Sequence, residues 1–501
     1  MSLDIKFFSF LILLLPLAIA TGPFLPDLIA SLLAIFFLFT LVKYKNYDLL
    51  KNKIVIVILI FSFYIIIRSL FSDNPRLSLE SSFFYFRFIL FSLSIAFIVT
   101  KNKKIYKQFG YSIIFSLFFV VLDSYIQLFF GKNIFGISNP SSDGSLLFTG
   151  SYHGQLTGIF GDEQILGSFL ARMSPLAFAF VIFLNKKKYS YLLLLLIILS
   201  DVAIYLSGER SAFFLLLFSI IIIIFLTKKW KIVRFVSFIL SILLIIFISI
   251  IDSNSSDRMI NKTINQLGLS KVFFSQDQNN KIVDNETNND VILSDEISIC
   301  ANQKYKKNNT LPSNHQKTIQ EYINDCKLMI INENNSKNIK IDTIESDRMI
   351  LFSSHHENHY FSALKMFKEN ILFGIGPKLF REKCSDPKYK PFENIKVKVI
   401  DICSTHPHNS YIQLLSETGI VGFLLIFPLF ILICYNFSIQ LFNILFFRKY
   451  IFSDMKICIM VSLFIFTFPF IPTGSVFNNW LSVLHYMGLG FYFSLNGKKY
   501  V

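Results

Sequence analysis

Apolar runs long enough, or nearly long enough, to cross a lipid bilayer recur along most of the chain. Short polar or basic stretches separate them, which is the pattern of transmembrane helices joined by loops. We find twelve such runs, at about 7–23, 25–42, 54–71, 83–100, 109–130, 164–184, 189–207, 212–227, 235–251, 419–437, 457–472 and 478–495. The pattern predicts an all-α polytopic membrane protein with about twelve transmembrane helices.

One long polar segment interrupts this pattern. It predicts three regions: transmembrane helices 1–9 at residues 1–251, a large loop at 252–418, and transmembrane helices 10–12 at 419–501. Residues 252–345 are rich in Asn, Lys, Asp and Ser and poor in aromatic residues, which is typical of a loosely ordered insertion. Residues 355–418 are the helical part of the loop and contain the His-Asn motif; Tyr360, Leu364, Phe367 and Ile371 fall on one helical face, which predicts an amphipathic helix. The turn Gly-Ile-Gly-Pro at 374–377 either simply ends this helix or presents its backbone amides to an anion.

Composition and charge agree with this division. The chain of 501 residues is 53% hydrophobic, contains 59 Phe and has a net charge of +15. Basic residues concentrate in alternate connections, which predicts cytoplasmic termini and an external large loop. We therefore read the charge as a topology signal and expect no nucleic-acid partner. The first run ends in Ala18-Ile19-Ala20 and also resembles a signal peptide, but we interpret it as an uncleaved helix.

Four arginines lie in or beside apolar runs, on the side that should lack positive charge: Arg68, Arg87, Arg172 and Arg210. A cation inside a membrane span is costly unless it faces a polar interior or a partner. One interpretation is that they reach the head groups or pair with Asp162, Glu163, Asp201 or Glu209. The other is an anion site open to the outside, since guanidinium groups bind phosphate oxygens in a bidentate manner.

Two histidines, His406 and His408, lie where the polar loop passes into the tenth apolar run. Pro407 restricts the backbone between them. An imidazole at this position can accept a proton or, once charged, hold a phosphate. The alternative interpretation is a polar helix start, capped by Asn409 or Ser410. A metal site is disfavoured because the pair has no nearby third ligand.

Other polar residues suggest supporting roles. Asp162 is placed to cap the sixth predicted helix, and Glu163 is a candidate acid or base. An external loop permits disulfides, and we predict that Cys384 pairs with Cys403 and Cys300 with Cys326, out of three possible connectivities.

Several motifs resemble the O-antigen ligase and polymerase superfamily of bacterial envelope proteins. His408-Asn409 is followed by Gly419-x-x-Gly422, and three further stretches match in order: residues 158–167, the Ser-Gly-Glu-Arg-Ser junction at 207–211, and residues 367–380. This resemblance covers about 155–430. It implies a C-type membrane glycosyltransferase-like fold with one large periplasmic loop in the bacterial inner (cytoplasmic) membrane, and an undecaprenyl-diphosphate-linked glycan as donor. It implies no metal, nucleotide or other cofactor, and essential roles for Arg210 and His408.

The residues and the resemblance suggest one mechanism. Arg210 and Arg172, with Arg68 or Arg87 and Asn409, would bind the diphosphate, while His408, helped by His406, would act as a base or a phosphate ligand. Three functions remain open: an O-antigen ligase that uses lipid A–core as acceptor, a polymerase that joins lipid-linked repeat units, or a non-enzymatic flippase of lipid-linked glycan.

Overall fold

The computed structural model describes residues 3–45, 47–138, 155–161, 163–181, 190–251, 259–260, 263–264, 354–389 and 403–496. The chain divides into two units, one formed by residues 1–260 with 352–501 and the other by 261–351. All helices and site residues discussed below belong to the first unit. Asp162, Cys300 and Cys326 lie outside the described residues, as does most of the predicted insertion.

The described residues contain helices and no β-strand. The first ten helices are α1 Leu3–Ala20, α2 Phe24–Tyr44, α3 Lys53–Leu70, α4 Pro75–Ser82, α5 Arg87–Lys101, α6 Lys104–Phe130, α7 Leu166–Val181, α8 Ser190–Leu206, α9 Arg210–Leu226 and α10 Lys231–Ile251. After the insertion come α11 Ser354–Glu369, α12 Phe380–Lys383, α13 Ser410–Gln413, α14 Gly419–Phe447, α15 Asp454–Phe466 and α16 Asn479–Asn496. A five-residue π-helical turn, Leu414–Thr418, joins α13 to α14.

Seven helical segments of the described chain are long and apolar enough to cross a membrane: Leu3–Ala20, Phe24–Tyr44, Lys53–Leu70, Pro75–Lys101, Lys104–Phe130, Lys231–Ile250 and Ser410–Phe447. Three shorter apolar helices lie at Leu166–Val181, Leu192–Leu206 and Arg210–Leu226. Helices span membranes because they satisfy their own backbone groups where water is absent. The chain is therefore a polytopic helical membrane protein. A helix lies at each of the twelve predicted runs, and the number of actual spans stays a prediction.

Every residue of α7 from Leu166 to Val181 is buried except Ser168, which is partly exposed. The helix packs against α15, α8, α6 and α9. Its sequence is apolar apart from small polar residues and Arg172, so this helix carries one cation into the interior of the bundle. The position of α7 thus decides where that charge can act.

The loop helix α11 is fastened to the start of α14 through a glycine turn. The turn at 374–377 has the sequence Gly-Ile-Gly-Pro, and the Gly374 amide donates to Asn370 O, which ends α11. The next two amides donate to Ser416 and Glu417, at 2.9 Å each. These amides are therefore engaged within the protein. The turn is therefore better described as the end of α11 than as an anion-binding loop.

Two glycines in this contact leave no room for a side chain. Gly374 has φ +67°, and a Cβ on it would lie 2.5 Å from the carbonyl carbon of Glu417. Gly419 has φ +65°, and its Cβ would lie 2.3 Å from the carbonyl oxygen of Leu372. The two glycine motifs singled out in the sequence are therefore two sides of one close backbone approach.

We expect Gly374→Ala to destabilise the loop attachment, because it adds both a steric clash with backbone and a strained positive φ, the latter alone costing about 1–3 kcal/mol. The measurement is thermal unfolding of the detergent-purified protein. Gly488→Ala is the matched control, since a Cβ there would meet Leu463 at an ordinary 3.4 Å. Equal unfolding temperatures for the two variants would contradict this account.

Candidate functional site

The two predicted histidines lie together directly before α13. The ring centroids of His406 and His408 are 4.2 Å apart. The backbone of His408 has φ +55°, which is uncommon for a residue with a side chain and often marks functional sites. Its carbonyl accepts a hydrogen bond from the amide of Thr473 at 2.8 Å, which holds this conformation in place.

Both ring nitrogens of His406 are engaged. Its Nε2 lies 3.3 Å from the carbonyl oxygen of Thr473, and its Nδ1 lies 2.9 Å from the hydroxyl of Thr405. A carbonyl can only accept, so Nε2 carries the proton and Nδ1 accepts from Thr405. These contacts fix the ring of His406 and leave it positioned beside His408 rather than available as a second base.

His408 is held at one nitrogen. Its Nε2 lies 2.9 Å from the hydroxyl of Ser404, and within the described chain its Nδ1 has no hydrogen-bond partner. When Nε2 donates to Ser404, the lone pair of Nδ1 is available to a bound molecule. Tyr360 donates its hydroxyl proton to the carbonyl of His408 at 3.4 Å and steadies the backbone at the same point.

Two further histidines complete the cluster, and the sequence reasoning missed them. His356 and His359 of α11 place their ring centroids 5.2 and 5.3 Å from that of His408. His359 is buried and stacks on His408 with an interplanar angle of 22°. Their i, i+3 spacing puts both on one helical face, which is the signal that could have pointed to them.

Asn409 caps α13, as the alternative sequence interpretation proposed. Its side-chain oxygen accepts hydrogen bonds from the amides of Tyr411 and Ile412, and its amide group donates to Pro469 O at 2.7 Å. The side chain is buried and its oxygen and nitrogen are both in use. These contacts give Asn409 a structural role that ties the loop to the segment after α15, and its assignment to the diphosphate stays a prediction.

Thr473 connects the histidines to a cavity among the membrane helices. Its hydroxyl bonds to the amide and hydroxyl of Ser410 at 3.0 and 2.8 Å. Both residues line an inter-helix cavity between α3, α14, α15 and α16, whose walls are mainly Leu, Ile and aromatic side chains. An apolar pocket with a few convergent polar groups is the usual form of a small-molecule site.

Arg172 projects into this inter-helix cavity. The residue is 4% exposed, and its Nε has no hydrogen-bond partner within the described part of the chain. One guanidinium nitrogen, Nη1, donates to Ser168 O at 3.1 Å, and the group lies 5.3 Å from the ring centroid of Phe466. The structure thus brings one of the four predicted arginines to the cavity beside the histidine pair.

Arg210 begins α9 at the junction that the sequence singled out. The adjacent Glu209 reaches across to α7, where its carboxylate accepts hydrogen bonds from the amides of Gly167 at 2.6 Å and Ser168 at 3.0 Å. A negative charge suits a helix N-terminus. Glu209 is therefore the cap of α7 in the described structure, and it holds the Arg210 junction against the helix that carries Arg172.

The other two arginines have structural partners, and their assignment to the diphosphate stays a prediction. Arg68 donates to the carbonyls of Phe71, Phe373 and Gly374, so it holds the glycine turn. Arg87 forms an ion pair with Asp27 at 2.6 Å. Both have bonded partners that the sequence could not locate.

Two of the acidic residues considered as partners for the arginines, Asp201 and Glu163, have different surroundings. Asp201 pairs with Arg234 through two hydrogen bonds, at 2.8 and 3.0 Å, and both side chains are buried. Glu163 is exposed, and the described structure gives its side chain no contact that would tune it as an acid or base.

A disulfide joins Cys384 and Cys403, as the sequence predicts, with Cα atoms 5.2 Å apart. It lies three residues before His406 and links the end of α12 to the approach of the histidine pair. In the described chain Cys434 and Cys458 are free thiols within helices.

A family model described as O-antigen ligase matches residues 353–427. This segment of the chain is similar to the O-antigen ligase family. The matched segment contains α11, the glycine turn, the Cys384–Cys403 disulfide and all four clustered histidines, while Arg172, Arg210 and Thr473 lie outside it. No curated protein matches the chain.

The surroundings of His406 and His408 favour neutral rings. Burial lowers the pKa of His408, and burial together with repulsion from His408 lowers the pKa of His406 to about 3. Burial also raises the pKa of Tyr360, which keeps its phenol protonated as a donor. At pH 7 both imidazoles are uncharged, which suits a proton acceptor better than a phosphate ligand. Within the described residues no group of three or more His, Cys, Asp or Glu is arranged to hold a metal ion.

We expect His406 and His408 to titrate below the ordinary histidine value of about 6.5, because burial disfavours the imidazolium form. Nitrogen-15 NMR of labelled imidazoles gives the midpoints, and His406→Gln and His408→Asn assign the signals. The unfolded protein provides the reference, in which both midpoints return to the ordinary value. Midpoints at or above 6.5 in the folded protein would contradict the neutral assignment.

Proposed function

We propose that the protein is an O-antigen ligase. It transfers a polysaccharide from undecaprenyl diphosphate to lipid A–core at the periplasmic face of the bacterial inner membrane. Both termini are cytoplasmic and the large loop is periplasmic, as the distribution of basic residues predicts. The observation that carries the proposal is the contact of Thr473 with the histidine pair on one side and the Arg172 cavity on the other.

The proposed reaction is a direct displacement. Nδ1 of His408 takes the proton of the acceptor hydroxyl, and the oxygen of that hydroxyl forms a bond to the sugar carbon. The bond between that carbon and the diphosphate oxygen breaks, and its electron pair leaves with the diphosphate. The neutral state of His408, caused by burial, supports the base role over the role of a charged phosphate ligand.

The leaving diphosphate needs cations that are already in place. Arg172 supplies a buried guanidinium group with an unpaired Nε in the described structure, and Arg210 lies at the start of the neighbouring helix α9. Fixed charges of this kind stabilise a developing anion without reorganising at the moment of reaction. The mechanism we propose uses no metal, nucleotide or other cofactor.

The inter-helix cavity suits a substrate with an apolar tail. Its walls include Ile58, Leu429 and Leu463, and its polar rim includes Ser410 and Thr473. A donor with an isoprenoid chain and a charged, glycosylated head would place its chain among the helices and its sugar near the histidines. His406 and Ser404 would then orient His408 towards the acceptor.

Deletion of the gene, followed by gel analysis of lipopolysaccharide, tests the proposed reaction. We expect core without any O-chain, together with accumulated undecaprenyl-linked polymer, because the last transfer is lost. Core carrying a single repeat unit would indicate the polymerase instead. An unchanged ladder would rule out both enzymes. The wild-type gene supplied in trans is the control and should restore the full ladder.

Replacing the imidazole of His408 should abolish transfer by removing the base, while lipid-linked donor still crosses the membrane. His408→Asn and His408→Gly are the variants of choice, since Asn and Gly tolerate the positive φ better than Ala does. Transfer is measured with lipid-linked glycan and purified core acceptor, and we expect a loss of at least about 100-fold. Transport without transfer distinguishes the enzyme from a flippase, and near-normal transfer in either variant contradicts the base assignment.

A further inference from the structure

The lining of the inter-helix cavity includes a histidine that no sequence motif marks. His485 lies on α16, two turns from its start, and lines the cavity together with Arg172, Ser410 and Thr473. It belongs to neither the matched family segment nor the histidine cluster. Its ring packs against Phe466 and Tyr486, with centroids 5.3 and 5.4 Å apart.

His485 and Arg172 contact the same aromatic ring, and each has a buried nitrogen without a hydrogen-bond partner in the described residues. Both pack against the ring of Phe466, His485 edge-on and Arg172 through its guanidinium group. Within the described residues, the Nδ1 of His485 and the Nε of Arg172 are buried and have no hydrogen-bond partner. A buried polar atom left unpaired costs about 1–3 kcal/mol, so two of them beside one cavity require an explanation.

A ligand bound in the cavity would explain why these two nitrogens lack partners within the protein. The surrounding side chains are largely apolar, so an anion entering here would meet few competing acceptors. A guanidinium N–H and an imidazole N–H are both donors to phosphate oxygens. The low polarity of the walls strengthens such contacts relative to water.

We propose that His485 is a second ligand of the donor diphosphate, which it holds together with Arg172 below the histidine pair. The inference rests on the proposed function for the identity of the donor, and it adds a binding residue on a helix that the sequence motifs do not reach. His485 binds the phosphate and takes no part in proton transfer from the acceptor, which belongs to His408.

Binding of farnesyl diphosphate to the purified full-length protein tests the assignment. We expect His485→Leu and Arg172→Gln each to weaken binding about tenfold, the size of one lost hydrogen bond to a charged group. His485→Asn should restore most of the affinity, because its amide nitrogen lies near the position of Nδ1. The double variant should lose less than the two single losses combined, since both residues hold one anion.

Two other probes distinguish recognition of the isoprenoid chain from recognition of the diphosphate. Farnesol carries the chain without the charge, and inorganic diphosphate carries the charge without the chain. Stronger binding of farnesyl diphosphate than of either probe, with sensitivity to His485→Leu, supports a lipid-diphosphate site. If His485→Leu weakens inorganic diphosphate equally and the chain adds nothing, the site is one for free diphosphate and the proposal is wrong.

The remaining outcomes separate this inference from the proposed function. Equal affinity in wild type and His485→Leu, or no binding to wild type, overturns the role of His485 even if deletion removes the O-chain. Loss of binding in the variants combined with an unchanged lipopolysaccharide ladder supports the diphosphate site and overturns the ligase assignment. Thermal unfolding of His485→Leu and His485→Asn is compared, so that a folding defect is not taken for lost binding.

Discussion

The hydrogen bonds between residues 408–410 and residues 469–473 join the loop to the membrane helices, and the site depends on them. Asn409 donates to Pro469, and the hydroxyl of Thr473 bonds to Ser410. The amide of Thr473 also fixes the carbonyl of His408, whose positive φ would otherwise be costly. These bonds fix the position of the imidazoles relative to the cavity, because they act directly at the residues that carry the rings and at the residue after them.

The second constraint is the cost of burying a guanidinium group. Arg172 lies in a buried helix. A guanidinium group there needs hydrogen-bond partners or a ligand to compensate for its lost hydration. Ser168 and the carboxylate of Glu209 provide part of this compensation. Within the described residues the Nε of Arg172 has no hydrogen-bond partner, and the residue lines a largely apolar cavity. This explains why a single cation can matter more here than the many lysines at the ends of the helices.

The sequence predicts the helices well because hydrophobic runs report burial in lipid directly. It also identifies the histidine pair, the Cys384–Cys403 disulfide and the unusual depth of Arg172. It cannot tell a free arginine from a paired one, since Asp27 lies 60 residues from Arg87 and only folding brings them together. Nor can it show that Thr473 reaches the histidines, because an isolated threonine between two spans carries no pattern. His356 and His359 could have been predicted as site residues, because their i, i+3 spacing places them on one helical face.

The position of Thr473 near the end of the chain has a consequence for biosynthesis. Residues 371–376 emerge from the ribosome before the start of α14, so the glycine contact can form as soon as that helix is inserted. The bonds to His406, His408 and Ser410 must wait until residue 473 has been synthesised. Nascent chains that end before residue 473 would therefore contain every histidine of the cluster yet lack the anchor that Thr473 provides.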